Sequence, residues 1–260
     1  MLFRSFVSVK QEGHVAIVTL NRADKLNAMT DEMYLRVTEL FMQYQTDETV
    51  RAVILTGAGR AFCSGSDVTS MAPLGLVEGR ARMQTRHAMI NAIVNLEKPV
   101  IAAVRGVAAG IGFAMAMACD LIVASDNAKF SQIFKKIGLI PDGGSVFFLV
   151  QRLGIARAKE LVYTARMLPA EEANAWGLIN RVVPDVELEA NALALAQEMA
   201  GSATFALALA KKMFQSMYKP NLEEQLEQEN LCQQIAKLSA DHAEGVAAFK
   251  EKRAAVFTGR

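Results

Sequence analysis

The chain has 260 residues, 52% of them hydrophobic, enough for one large domain or for a main domain with a smaller appendage. Lys and Arg number 28 against 27 Asp and Glu, a formal charge of +1 with no basic run, which argues against nucleic acid as a partner. The three cysteines, Cys63, Cys119 and Cys232, are odd in number, far apart and without C-x-x-C spacing; they predict neither a disulfide framework nor a metal site, and they fit a reducing, cytoplasmic setting.

From Met1 to Lys10 charge interrupts the chain too early for a signal peptide, and no apolar run reaches the roughly 18 residues of a membrane span. His14 to Leu20 reads as a strand, Asp31 to Tyr44 as an amphipathic helix, and Arg51 to Thr56 as a buried strand stopped by Gly57-Ala58-Gly59. Val77 to Leu96 reads as a helix, Pro99 to Val104 as a strand closing on Gly106, Gly110 to Cys119 as a small-residue helix, and Leu121 to Ala124 as another strand. Continuous apolar strands alternating with helices predict an α/β fold whose sheet is covered on both faces.

From Gly144 onward the pattern is nearly all helical, with Ile179 to Val183 the one short strand. The chain divides near residue 200 into a core, 1–200, and a C-terminal helical region, 201–260. That region reads as helices over Thr204 to Tyr218, Leu222 to Leu238 and Asp241 to Phe257, with a break at Lys219-Pro220-Asn221.

Two glycine-bearing segments carry the chemistry. Ala61-Phe62-Cys63-Ser64-Gly65-Ser66-Asp67 and Gly106-Val107-Ala108-Ala109-Gly110-Ile111-Gly112-Phe113 each follow a strand, and the second opens a helix. Such turns free backbone N–H groups, and a helix start adds a favourable dipole, so two of them aimed at one point form an oxyanion site. Gly57-Ala58-Gly59-Arg60-Ala61-Phe62 begins like a dinucleotide fingerprint, but Phe62 stands where the third glycine must allow close packing. Ser64 or Ser66 with His14, His87 or His242 would be needed for a serine hydrolase, and no histidine lies in a recognisable motif; His14 and His242 read as solvent-facing.

Asn21-Arg22-Ala23-Asp24-Lys25-Leu26-Asn27-Ala28-Met29, Phe62 to Asp67, Val104 to Asp120, Phe130 to Gly144 and the tail Glu244 to Arg253 together resemble the enoyl-CoA hydratase/isomerase (crotonase) family, in order and over nearly the whole chain. The resemblance implies a spiral of β-β-α units with a C-terminal helical trimerisation region, and homotrimers or dimers of trimers. It also implies an acyl-CoA thioester as substrate, with no separate cofactor and no metal. It assigns the oxyanion donors to the backbone amides of Ser66 and Ile111, and it places Lys25, Leu26, Ala28, Ser64, Gly65, Asp67, Gly110, Phe134, Phe249 and Lys252 around the substrate. The two glutamates of the family's hydratases correspond to Ala114 and Phe134, which cannot transfer a proton.

Asp142, in Gly138-Leu139-Ile140-Pro141-Asp142-Gly143-Gly144, matches the single catalytic acid of several of the family's enoyl-CoA isomerases. By itself Pro-Asp-Gly is an ordinary turn whose aspartate bonds its own backbone. Ile140, Phe147 and Phe148 are available to desolvate it. Asp67 and Asp120 read as caps of turns or free backbone donors. Val68 to Arg86, including Met71, Pro73 and Met83, reads as the cover of the acyl pocket. The expected activity is Δ3,Δ2-enoyl-CoA isomerisation; hydration, isomerisation of a ring enoyl-CoA, and a silent acyl-CoA-binding protein are the alternatives.

Overall fold

Side chains alternate between two apolar layers along the parallel strands, and that alternation positions everything else. The computed structural model describes residues 6–70, 74–202, 204–216, 222–238 and 240–256. A six-stranded sheet runs in the order β1 (Val7–Glu12), β2 (Val15–Leu20), β3 (Ala52–Gly57), β4 (Val100–Val104), β6 (Leu121–Ser125) and β9 (Arg181–Val183). β1 and β2 form an antiparallel hairpin, and every later neighbour is parallel.

On one face Val15, Ile54, Ile101, Ala103 and Val123 pack against Leu188, Ala192, Leu195 and Ala196 of α6 (Leu188–Ala200). On the other, Val18, Leu20, Val53, Leu55, Ala102 and Val104 join the core built with α1 (Asp31–Thr46), α2 (Leu76–Asn95) and α3 (Ile111–Ala118). Both faces are therefore covered, as the apolar strands predict.

A second, smaller sheet holds β5 (Val107–Ala109), β7 (Lys129–Ser131) and β8 (Leu168–Pro169). Isolated bridges Cys63–Ala108 and Met29–Ser66 continue it sideways. Each coil of chain thus places one strand in the large sheet, a second stretch in the small one, and then a helix: β4, β5, α3, followed by β6, β7, α4 (Ser145–Thr164). This is the expected spiral of β-β-α units, and it sets equivalent turns of successive coils side by side.

Beyond α5 (Ala170–Ala175) and α6 lie α7 (Thr204–Ser216), α8 (Leu222–Lys237) and α9 (Ala240–Glu251). α8 packs on α2, and α9 packs on the 3-10 segment Ile133–Ile137. No helix among the described residues is long and apolar enough to cross a membrane.

Several expectations need correcting. Ile179–Val183 is not the only strand after Gly144, because β8 pairs antiparallel with β7. The last helix ends at Glu251 instead of running to Phe257, because Lys252 turns into the left-handed region at φ 57. The expected break at Lys219-Pro220-Asn221 lies outside the described residues, as do Met71 and Pro73 of the pocket cover.

Candidate active site

The segment from Cys63 to Asp67 is stitched on both sides. Ser64 N–H donates to Leu26 O at 2.9 Å, Met29 N–H to Gly65 O at 2.8 Å and Asp67 N–H to Met29 O at 2.9 Å, while Cys63 N–H donates to Val107 O at 3.0 Å and Cys63 O accepts from Ala109 N–H at 2.9 Å. The bridge uses the groups on either side of the Ser66 N–H, and that N–H has no acceptor among the described residues. Asn27, fully buried, locks the same loops: its Nδ2 donates to Ala58 O and Ala61 O at 3.0 and 2.7 Å, and its Oδ1 accepts from Arg22 N at 2.9 Å.

Gly110, at φ 55 and ψ −126, adopts a backbone that only glycine takes readily and turns β5 into α3. The N–H of Ile111 then falls in the first helical turn, where the helix offers no acceptor. The two loops meet: a Cβ on Gly110 would lie 3.9 Å from Gly65 Cα and 3.6 Å from Cζ of Phe134. The amides of Ser66 and Ile111 and the ring of Phe134 are thereby gathered in one place.

Asp142 sits on the loop before α4, and that loop presses on α3. A Cβ on Gly143 would come within 2.3 Å of Ile111 Cδ1 and 3.0 Å of Ala114 Cβ. The carboxylate is 1% exposed and does not bond its own turn. Instead Oδ2 accepts from Arg86 at 3.1 Å and from Nε2 of Gln233 at 3.5 Å, while Oδ1 is buried with no partner among the described residues. Asp142 is desolvated by burial, as expected, and charged and polar side chains lie beside it as well. Arg86 of α2 and Gln233 of α8 reach Asp142, and Phe148 lies against Gly144. Burial pushes the Asp142 carboxyl above the usual carboxylate range, with the Arg86 guanidinium pulling against it.

Arg86 is 2% exposed and stacks over the ring of Tyr34 at 5.6 Å. The Tyr34 hydroxyl shares a 2.7 Å hydrogen bond with Ser66 Oγ, and burial pushes its pKa upward. Tyr34 therefore joins the loop of Ser66 to the Arg86–Asp142 pair. The sequence reading did not single out Arg86 as a polar partner, nor Tyr34, Gln233 or Lys237. One signal was available: Met83, Arg86, His87 and Ile90 fall at helical spacing on one buried stripe of α2.

Lys25 is exposed, and Leu26 and Ala28 are half-buried on the loop stitched to Ser64. Asp67 does cap a turn, accepting from Thr69 N at 2.9 Å, and also pairs with Arg22 at 2.6 Å. Asp120 likewise accepts from Val100 N at 2.8 Å. Phe249 is 56% exposed beside the buried Ala248, so it is no core residue of α9. Lys252 is exposed just past the helix end. His242, expected to face solvent, is half-buried with Nδ1 2.8 Å from Ile137 O, and the Ser66 hydroxyl bonds Tyr34.

The family model of enoyl-CoA hydratase/isomerase matches residues 10–260. The chain is 40% identical over 259 residues to the 1,2-epoxyphenylacetyl-CoA isomerase of Escherichia coli (strain K12), covering 98% of this chain and 99% of that protein. It is 37% identical over 254 residues to the carnitinyl-CoA dehydratase of the same strain, covering 96% and 97%. The crystal structure of an enoyl-CoA hydratase from Mycobacterium avium subsp. paratuberculosis K-10 superposes with a TM-score of 0.90 at 33% identity, over 98% of this chain and 99% of that one. Coil topology, paired glycine loops and these matches agree: the chain is an enzyme of the enoyl-CoA hydratase/isomerase (crotonase) family.

Proposed function

We propose that the chain moves a double bond in an acyl-CoA thioester, converting a Δ3-enoyl-CoA to its Δ2 isomer with Asp142 as the single acid and base. The observation that supports this most is the Asp142 carboxylate: Arg86 holds one oxygen, and the other is buried with no partner among the described residues, on a loop packed against the first turn of α3. In this reading the thioester carbonyl oxygen accepts hydrogen bonds from the N–H groups of Ser66 and Ile111. Each such donor contributes about 3–4 kcal/mol to a developing oxyanion. Oδ1 takes a proton from the α carbon, the electrons pass into the held enolate, and the carboxylic acid returns the proton at the γ carbon. Nothing is gained or lost, so one carboxylate suffices.

Hydration would need a water split between two acids, and Ala114 and Phe134 fill the positions where the family's hydratases hold them. The relative named 1,2-epoxyphenylacetyl-CoA isomerase favours a second reading, in which the thioester carries an oxygenated ring. Enolate stabilisation would serve that chemistry equally. Lys25, Leu26, Ala28, Ser64, Gly65, Asp67, Gly110 and Phe134 would surround the pantetheine and thioester, with Phe249 and Lys252 on the adenine and phosphates. In this proposal residues 201–260 help assemble a homotrimer or a dimer of trimers.

Asp142→Asn tests the assignment. Turnover of a Δ3-enoyl-CoA, followed by the absorbance of the conjugated thioester, should fall about 100-fold to 10,000-fold. Thioester binding should persist. Undiminished turnover would remove Asp142 from the chemistry, and a gain of one water on a Δ2-enoyl-CoA without isomerisation of the Δ3 compound would favour a hydratase.

A further inference from the structure

Between α2, α8 and α9 lies a cavity of about 480 Å³, lined on its apolar side by Leu74, Leu139 and Val246. Its polar lining consists largely of donors. Nζ of Lys237, Nε2 of Gln234 and Nε of Arg86 are all buried without a partner among the described residues, and all three residues line this one cavity. Arg82, at its wall, pairs with Asp31 at 3.2 Å, and Arg86 pairs with Asp142. Among the described residues Lys237 makes no ion pair, although it lies near enough to Arg86, Arg82 and Asp142 to feel all three, and Glu251, which also lines the cavity, pairs with Arg253. Burial, then Arg86 and Arg82, push its pKa down to about 8, so at neutral pH it is still mostly an ammonium in a positive field. Buried donors gathered without acceptors are costly, and an incoming acceptor relieves that cost.

We propose that this cavity receives the end of the acyl group remote from the thioester, and that Lys237, with Gln234 and Arg86, selects an acyl group bearing a carboxylate there. The inference rests on the acyl-CoA reading of the site. An anionic oxygen near Lys237 has two sources, a carboxylate on the acyl group or a phosphate of CoA. The acyl source fits the placement, because Arg86 both lines this cavity and pairs with Asp142, the base of the proposed reaction. The monoanion would neutralise the Lys237 ammonium and convert three unsatisfied donors into charge-assisted hydrogen bonds.

Titration calorimetry on the full chain tests this with succinyl-, glutaryl- and adipoyl-CoA against butanoyl-, pentanoyl- and hexanoyl-CoA, and with CoA alone. At least one carboxylated thioester should bind wild type about tenfold or more tightly than its uncharged counterpart. Lys237→Met should erase that preference while leaving the uncharged thioesters and CoA within about twofold of wild type, and Gln234→Leu, which removes a different donor, should weaken it too. A wild type without the preference, or one whose preference survives in both variants, overturns the proposal. A parallel loss of CoA affinity in Lys237→Met overturns it in favour of a CoA phosphate. If wild type binds neither CoA nor any thioester, the acyl-CoA site itself falls, and this inference with it.

Discussion

Arg86 is the side chain on which the behaviour of Asp142 turns. A buried carboxylate acts as a base only above its pKa; burial raises that pKa here and Arg86 opposes the rise. Replacing Arg86 with Gln removes the opposing charge, so the acid limb of kcat/KM should move to higher pH by roughly 1 to 3 pH units. The pH–rate profile of the variant checks this, with Arg86→Lys as the charge-keeping control; an unmoved limb would leave Arg86 a packing role only. Asp142 could be proposed from the sequence because its motif is contiguous and resembles that of the family's isomerases. Arg86, Gln233, Gln234 and Lys237 could not, because they reach the site from helices distant in sequence, and the contact of α2 with α8 leaves no mark in either stretch. An arginine on a buried helical stripe reads as a snorkelling surface residue until its partner is known.

Among the elements, those long enough to show a period were readable. α1, α2, β3 and β4 lie within two residues of expectation, because their apolar spacing is uninterrupted. β1, β5, β7 and β8 escaped notice for different reasons. β1 carries Ser8, Lys10, Gln11 and Glu12 as an edge strand, β5 is buried in a glycine-rich run, and β7 and β8 are three and two residues long. These short pieces matter because the small sheet sets the loops of Ser66 and Gly110 side by side. At the contact of the Asp142 loop with α3, Gly143 has φ 64 and no room for a side chain. Gly143→Ala should cost about 1–2 kcal/mol from the left-handed backbone alone. It should also displace the Ile111 side chain. Denaturant unfolding measures the first effect and kcat the second; a stability within error of wild type would mean that the loop relaxes freely.

At the scale of the whole molecule, a cleft of about 510 Å³ between the end of α3 and α7 is lined by Val94, Met117, Phe148, Met199, Leu207 and Phe214. Phe214 is 70% exposed and Leu209 47% exposed, a large apolar surface for a chain whose charge is balanced. We expect the chain to sediment as a trimer or hexamer, and Phe214→Glu to shift it towards smaller species. A monomeric wild type at micromolar concentration would end that expectation.

The loops of Ser66 and Gly110 present main-chain N–H groups, and every amino acid except proline carries one. Exchange of the Ser66 or Ile111 side chain does not by itself delete a donor; only proline, or a change that alters the fold of the glycine loops, can. The carboxylate of Asp142 is different, because a single codon change removes it. Under the proposed mechanism the power to polarise a carbonyl is stored in the shape of the backbone and the choice of reaction in one replaceable letter, so drift would alter what is catalysed sooner than it abolished the cradle in which catalysis occurs.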